Sequence, residues 1–284
     1  MRVGIITQLL WSRYGELWER LVTGVGLEAH HAAPEGVASA LQDARLEAVP
    51  GFTFKLAAAE ALAFENADVI LAPELNPGTD SLRGSGQDPF ISSFPEALST
   101  SVSGLPPILG VPASLEGNLE TLVISTLHSL TRDPALVRRV WERQRSSARA
   151  PKRAEPRWRV RPSEGGTLGV VAQPWLLRRE VIAAALAGTD AHVVSQHQLE
   201  PAMLRAEGQR VDERLIPTDS EVLGAARYLG RKGSVSKLVV VADQTSGADA
   251  WLVSRVQKLT HKPLEVIYLQ GVLEPDALTA AFLS

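Results

Sequence analysis

Short runs of aliphatic and β-branched residues alternate along the chain with longer segments in which apolar residues recur every three or four positions. The runs are typical of strands buried on both faces, and the periodic segments are typical of helices that bury one side. In the first half, strands are expected at 2–6, 27–30, 68–72 and 109–111, and helices at 15–25, 34–46, 55–64 and 116–130. Strands and helices that alternate in this way predict an α/β fold with a parallel sheet.

The pattern restarts after Gly166. Gly4 near the start of the first strand and Gln8 just past its end are repeated as Gly169 and Gln173. The later strands of the second half are expected at 191–194, 237–242 and 266–269. A repeat of roughly 165 residues is far longer than a solenoid repeat. We therefore predict two similar doubly wound (Rossmann-like or flavodoxin-like) parallel-sheet domains that face a cleft.

A change in charge marks the boundary between the two halves. Residues 138–161 contain ten Arg or Lys against two Glu, and prolines punctuate the second part of this stretch. This predicts an N-terminal domain at 1–131, a basic helix and linker at 132–163, and a C-terminal domain at 164–284. A basic run can contact phosphates, but charge runs usually cover solvated surfaces, so the solvated interpretation is preferred.

Composition narrows the classes of function. The net charge of −3 gives no reason to expect a nucleic-acid partner. The absence of cysteine excludes disulfides, thiol nucleophiles and metal sites built on thiolates. The sequence has no apolar run long enough to span a bilayer and no recognisable export signal. No membrane association is therefore expected, and a cytoplasmic location is predicted.

The strongest candidate for a binding site is the polar loop after the buried strand 238–242. In an open parallel sheet such loops lie at the carboxyl ends of the strands, where ligands bind and helix starts favour anionic groups. Ser246, at the start of the following helix, can contact a ligand or serve only as a helix cap. Because the pattern repeats, we expect a small-molecule ligand between the domains, in contact with Thr7, Gln8, Glu74, Asn76, Asp88, Gln173, Trp175, Gln244, Thr245 and Ser246.

Two other features carry less chemical information. The glycine-rich loop 78–86 can cradle an anion beside Arg83, although a surface loop is the preferred interpretation. Adjacent His30 and His31 point to opposite faces of a strand, and His192 and His197 have no standard metal spacing. Neither a metal ion nor a cofactor is therefore expected.

Four segments share the arrangement of one known family. They are the opening strand 3–6 followed by Leu17-Trp18, then Asp88-Pro89 ahead of Phe94-Pro95, the strand 170–172 running into Gln173-Pro174-Trp175, and Ser246-Gly247-Ala248-Asp249. Together they resemble the 2-hydroxyacyl-CoA dehydratase D-component family and the related proteins associated with dehydratase activators. Asp88-Pro89 resembles a Cys-Pro segment of that family, and 246–249 resembles its Cys-Gly-Pro-Asp loop. The resemblance spans nearly the whole chain.

The departures from that family bear directly on function. Its dehydratases hold an iron–sulfur cluster on cysteines, and Asp88 and Ser246 stand at two of those positions. Neither side chain supplies a thiolate. Gln8 replaces an arginine after the first strand, and Gln270 stands where an acidic residue is expected. The fold that the resemblance implies can therefore carry over without the radical dehydration.

Two functions of different class follow. The preferred one is a cluster-less, non-catalytic homologue of dehydratase subunits that binds a small anionic or CoA-like ligand, or a protein partner, in the cleft. The alternative is an enzyme with cluster-independent acid–base chemistry on Asp88, Glu74 or Asp249, which requires a raised carboxyl pKa. Ionisable side chains that converge within hydrogen-bonding reach would favour the enzyme. A solute receptor of periplasmic type shares the architecture, but the missing export signal disfavours it.

Overall fold

The computed structural model describes residues 1–64, 66–77, 88–115, 117–149, 166–271 and 274–283. The chain divides into two compact units, Met1–Gly78 with Pro89–Pro151 and Thr79–Asp88 with Lys152–Ser284. The predicted glycine-rich loop at 78–86 and residues 150–163 of the predicted basic helix and linker (132–163) lie outside the described residues. Among the residues that are described, no helix is both long and apolar enough to cross a membrane.

The first unit is built on a four-stranded parallel sheet with the strand order β2-β1-β3-β4. Its strands are β1 (Arg2–Ile5), β2 (Glu28–His30), β3 (Val69–Glu74) and β4 (Ile108–Pro112). Its helices are α1 (Trp11–Gly24), α2 (Pro34–Ala40), α3 (Phe52–Leu62), α4 (Pro89–Ser92), α5 (Phe94–Ser101), α6 (Leu119–Leu130) and α7 (Pro134–Gln144). Helix α1 buries Leu17 and Leu21, the apolar positions that its sequence period predicts.

The second unit repeats this plan with the strand order β6-β5-β7-β8, again parallel throughout. Its strands are β5 (Thr167–Val171), β6 (His192–Ser195), β7 (Val235–Ala242) and β8 (Leu264–Tyr268). Its helices are α8 (Arg179–Ala185), α9 (Pro201–Gln209), α10 (Pro217–Arg231), α11 (Gly247–Leu259) and α12 (Pro275–Leu283). The prediction of two Rossmann-like α/β units with separate parallel sheets is confirmed.

The predicted equivalence of Gly4 and Gly169 is confirmed as well. Each is the third residue of the first strand in its sheet, and each pairs with the third residue of the second strand. A Cβ on Gly4 would lie 2.9 Å from the ring of Phe64, and a Cβ on Gly169 would lie 2.7 Å from a methyl group of Leu238. Glycine is required at both places because a side chain packs directly onto the backbone of the central strand.

Two helix boundaries differ most from the prediction. The helix expected from Gly15 already begins at Trp11. Glycine usually signals a helix end, but here the Trp11 ring lies directly over Gly15 and occupies the space of a side chain. The helix expected at 34–46 ends at Ala40. There the carboxylate of Asp43 accepts a hydrogen bond from the backbone N–H of Arg45 at 2.9 Å, which starts a separate short 3-10 turn.

The basic helix α7 is more than a connecting segment. Its apolar side buries Val137, Val140 and Trp141. A Cβ on Gly24 of α1 would lie 2.8 Å from a methyl group of Val140, so α7 packs closely against α1 within the first unit. The arginines of α7 lie on the exposed side, as expected for an amphipathic surface helix.

Candidate functional site

One buried carboxylate accepts hydrogen bonds from the loop after β1. Glu60 of α3 is 2% exposed and accepts the backbone N–H of Thr7 at 2.9 Å and that of Gln8 at 3.2 Å. The Thr7 hydroxyl donates to the same carboxylate at 2.6 Å. Two of the predicted ligand contacts are therefore tied to Glu60, whose role is to fix the course of the chain as it leaves the sheet.

Backbone strain follows immediately. Leu9 and Leu10 have φ angles of 58° and 72°, in the left-handed region that aliphatic side chains rarely adopt. Leu10 is the N-cap residue of α1 and offers no side-chain cap, and the first turn of the helix contains no acidic residue. Side chains of the first turn therefore do not compensate the positive end of the α1 dipole.

A pocket of about 150 Å³ runs along α1 from Ser12 to Arg20. We call it the α1 pocket, and its lining consists of Ser12, Arg13, Tyr14, Glu16, Leu17, Arg20, Leu115, Ser147 and Arg149. Arg20 forms an ion pair with Glu16, and its Nη1 donates to the Ser147 hydroxyl at 3.2 Å. Since the Ser147 oxygen accepts this bond, its own proton stays available to donate to a bound anion.

The remaining predicted contacts in this part of the sequence are Asn76 and Glu74 of the first unit and Asp88, which belongs to the second unit. Asn76 is 2% exposed and donates from Nδ2 to the Ile91 carbonyl at 2.9 Å, which ties β3 to α4. Glu74 is half-buried against Gly110, and burial raises the pKa of its carboxyl. Asp88 is half-buried just before α4. The lining of the α1 pocket includes neither these three residues nor Thr7 and Gln8.

In the second unit the predicted loop after β7 forms a closed polar network. Asp243 is 2% exposed and accepts the Thr245 backbone N–H at 2.8 Å and the Gln270 side-chain amide at 2.6 Å. The Gln270 oxygen in turn accepts the backbone N–H of Gln244 at 3.0 Å. The loop after β8 is thereby bonded to the loop after β7 through Gln270.

Ser246 and Asp249 close this network at the start of α11. The Ser246 hydroxyl accepts the backbone N–H of Asp249 at 3.2 Å, so Ser246 is the N-cap of the helix. The Asp249 carboxylate accepts the backbone N–H of Asp243 at 2.7 Å. Burial and the nearby charges of Asp243 and Asp219 raise the pKa of Asp249 to about 7.

Gln173 connects the end of β5 to this acidic region. It is 1% exposed, and its Nε2 donates to Asp219 of α10 at 3.0 Å. Its Oε1 is buried without a hydrogen-bond partner in the described part of the chain. The neighbouring Trp175 is 4% exposed in a short 3-10 turn and belongs to the core. The structure thus brings Gln173 and the 244–246 loop to the same end of one sheet. Gln173 and Ser246 are buried there, whereas Gln244 and Thr245 are exposed.

The most informative residues had gone unnoticed in the sequence. Glu60 was visible only as the single charge in the apolar run 56–64, and Asp219 as an acidic residue near the start of α10. Arg13 and Arg20 had no distinguishing pattern, because surface helices commonly carry arginine. Arg149 belongs to the basic run 138–161. For that run, a solvent-exposed surface was the preferred interpretation and contact with phosphate the alternative.

No group of three or more His, Cys, Asp or Glu side chains that is suited to a metal ion occurs within the described ranges. No protein-family model, curated protein or solved structure matches the chain. Function has to be inferred from the geometry of the two strand-end regions.

Proposed function

We propose that this protein binds a small molecule by an anionic group of that molecule, and that the α1 pocket holds the group. The observation that supports this is the pocket lining, which among the described residues contains Arg13, Arg20 and Arg149 and one carboxylate, that of Glu16. Guanidinium groups present paired N–H donors that match carboxylate and phosphate oxygens. The uncapped helix start adds a further favourable field.

The strand order supports placing the site there. In each unit the chain passes to one side of its first strand and then to the other, β2-β1-β3-β4 and β6-β5-β7-β8, and from this we infer a doubly wound arrangement. Ligands of such sheets bind outside the carboxyl ends of the strands, where α1 begins. That both sets of loops serve one ligand stays a prediction. A cluster-less relationship to the dehydratase subunits likewise remains a proposal.

A second cavity is less suited to an anion. It measures about 250 Å³ and is lined by Ala226, Arg227, Gly230, Arg231, Leu259, Thr260 and His261. The carboxyl-terminal ends of α10 and α11 border it, and helix carbonyls disfavour negative charge. Arg227 also donates to Glu207 at 3.1 Å, which offsets its charge. We therefore favour the α1 pocket.

The proposal is tested by ligand screening with matched variants. Acyl-CoAs, nucleotides and carboxylic acids are screened by thermal shift, and each hit is titrated calorimetrically against wild type, Arg149→Gln and Arg145→Gln. Arg145 is exposed in the same segment but is not in the pocket lining. We expect Arg149→Gln to weaken binding about 5-fold, as for one exposed charge contact, and Arg145→Gln to leave it unchanged. Equal behaviour of the two variants would place the ligand elsewhere.

The second candidate function is acid–base catalysis in the second unit. It is favoured by Asp249, because a carboxyl with a pKa of about 7 can give or take a proton near neutral pH. Against it stands burial, since Asp249 is 4% exposed and its carboxylate already holds the Asp243 backbone. Carbon-13 NMR of labelled aspartate measures the pKa directly. Titration near the ordinary value of about 4 would remove this candidate.

A further inference from the structure

Helix α7 presents a basic surface to solvent. We call it the α7 face, and it consists of Arg138, Arg139, Arg143 and the C-cap residue Arg145, which are all exposed. We infer that the α7 face binds double-stranded DNA through its phosphate groups, without regard to base sequence. This interaction goes beyond the small-molecule site proposed above, since none of the four arginines lines the α1 pocket.

The first reason is that these arginines have no acidic partner in the fold. Elsewhere many arginines form ion pairs, as Arg45 does with Asp43 at 2.6 Å and Arg214 with Asp212 at 3.0 Å. Within the described ranges, no hydrogen bond or ion pair engages a side chain of the α7 face. Its positive charges therefore repel one another in the free protein, and bound phosphates would relieve that repulsion.

The second reason is the spacing of the arginines on a helix that is held in place, because its apolar side is buried in the first unit. At a rise of about 1.5 Å per residue, Arg138 and Arg145 form one row in which they lie about 10 Å apart. Arg139 and Arg143 form a second row, in which they lie about 6 Å apart. At 3.6 residues per turn, the two rows are separated by about a third of the helix circumference.

Two rows at this angle match the two strands that border a groove of DNA. The major groove of B-form DNA is about 12 Å wide and admits an α-helix. A helix that lies over its opening can direct one row of guanidinium groups to the phosphates of each strand, and guanidinium groups pair well with phosphate oxygens. The exposed Glu142 lies between the rows, so in this arrangement it faces the groove rather than a phosphate.

Other polyanions match the α7 face less well. Proteins hold single-stranded nucleic acids by stacking the bases on aromatic side chains, and the one aromatic residue of α7, Trp141, is only 4% exposed. A membrane-bound amphipathic helix inserts its apolar side, whereas the apolar side of α7 is already buried in the fold. An acidic protein also offers oxygen acceptors, but it lacks the regular double row of charges of a duplex.

The net charge of −3 does not oppose the inference. Residues 132–149 contain six Arg against one Asp and one Glu, while the rest of the chain has seven more acidic than basic residues. Net charge averages over this contrast, which is why it gave no reason to expect a nucleic acid. The acidic remainder confines the contact to few phosphates, so a dissociation constant on the order of 10⁻⁴ to 10⁻⁶ M is expected at physiological salt.

Fluorescence anisotropy with a labelled DNA duplex of about 20 base pairs tests the inference. We expect binding in about 50 mM salt that weakens about 100-fold by about 200 mM, because four phosphate contacts give a slope of about −3.6 in log K against log salt concentration. A second duplex of unrelated sequence should bind within about 2-fold of the first, since phosphates carry no sequence information.

Two double variants locate the contact. Arg139→Gln with Arg143→Gln removes one row, and Arg179→Gln with Arg231→Gln removes two exposed arginines of the second unit. Both change the net charge equally. The first should weaken DNA binding at least 5-fold and reduce the salt slope by about 2, whereas the second should bind DNA like wild type. Both should melt like wild type, because the four positions are exposed.

Several results would overturn the inference. They are no duplex binding in about 50 mM salt, equal behaviour of the two double variants, or equally tight binding of single-stranded DNA or duplex RNA, whose major groove is too narrow for a helix. Tighter binding of polyglutamate or of phosphatidylserine vesicles would identify an acidic protein or a membrane as the partner instead. Small-molecule binding is judged separately by Arg149→Gln, so either proposal can fail without the other.

Discussion

The strand-end regions of the two units hold different ionisable side chains, although both sheets have the same strand order. In the first unit an open pocket beside α1 is lined by three arginines. In the second, Asp219, Asp243 and Asp249 are 2%, 2% and 4% exposed and lie among amide and hydroxyl donors of the fold. The shared topology places polar loops at the same end of each sheet, but the individual side chains decide which kind of ligand that end accepts.

The surroundings of a buried carboxylate also differ between the two strand-end regions. Glu60 accepts hydrogen bonds from two backbone N–H groups and a hydroxyl of the loop that it supports. Asp249 accepts the backbone N–H of Asp243 but lies near two other carboxyl groups, and its pKa rises to about 7. Burial alone therefore does not identify a proton-transfer group. The number of donors and the neighbouring charges decide whether the ionised form is favoured.

The largest expected effect concerns Asp249. Its folded-state pKa of about 7 exceeds the value near 4 of an unfolded chain, so its favourable contribution to stability is full below about pH 4 and is lost as the pH rises to about 7. Asp249→Asn imitates the protonated form. We expect it to match wild type at pH 4 and to exceed its free energy of unfolding at pH 8 by an amount on the order of 4 kcal/mol.

Urea denaturation at the two pH values measures this difference. Asp190→Asn, at an exposed position in the same unit, is the control and should behave like wild type at both. An Asp249→Asn protein that is less stable than wild type at pH 8 would show that the ionised carboxylate is needed, and the contrast with Glu60 would disappear.

The next largest effect is a loss of stability in the first unit when the carboxylate of Glu60 is removed. Glu60→Ala removes the acceptor of the Thr7 and Gln8 backbone donors and of the Thr7 hydroxyl, and leaves them buried or half-buried without it. We expect a loss of about 2–4 kcal/mol in the free energy of unfolding. Glu47→Ala, exposed in the same unit, should cost less than about 0.5 kcal/mol. Equal losses in urea denaturation would mean that Glu60 does not support the strand end.

Ser246→Ala tests whether the second strand end is mainly structural. Because Ser246 caps α11, we expect a loss of about 1 kcal/mol in stability. Ser254→Ala, on an exposed position of the same helix, should not lower stability. A Ser246→Ala protein that keeps full stability but loses affinity for a ligand would show that Ser246 binds the ligand rather than stabilising α11.

The smallest expected effect tests how the charge of Glu16 influences anion binding in the α1 pocket. Glu16 is 79% exposed at its side chain and competes with a bound anion for Arg20. Glu16→Gln should therefore raise the affinity for an anionic hit of the ligand screen about 2-fold in calorimetric titration. Glu19→Gln, one turn further along α1 and outside the pocket lining, is the matched control. Weaker binding by Glu16→Gln would show that the ion pair positions Arg20 rather than opposing the anion.

The repeated pattern of apolar runs was sufficient to predict the two parallel α/β units. Strand runs such as 238–242 must be buried on both faces, and Gly4 and Gly169 mark where neighbouring side chains contact the strand backbone. These features depend on residues that are near one another in sequence or on apolar positions that recur at a fixed spacing. The helix break at Asp43 was missed because a local side-chain bond outweighed the apolar period.

The candidate sites depended on tertiary structure. Glu60 reaches the loop at Thr7 across 53 positions of sequence, and Gln173 reaches Asp219 across 46. Arg20 meets Ser147 across 127 positions, and only because α7 packs against α1. The sequence by itself determined where strands end and polar loops begin. Which charges meet at those ends was decided by helix packing, because side chains distant in sequence acquire a common position only when their helices are docked on the same sheet.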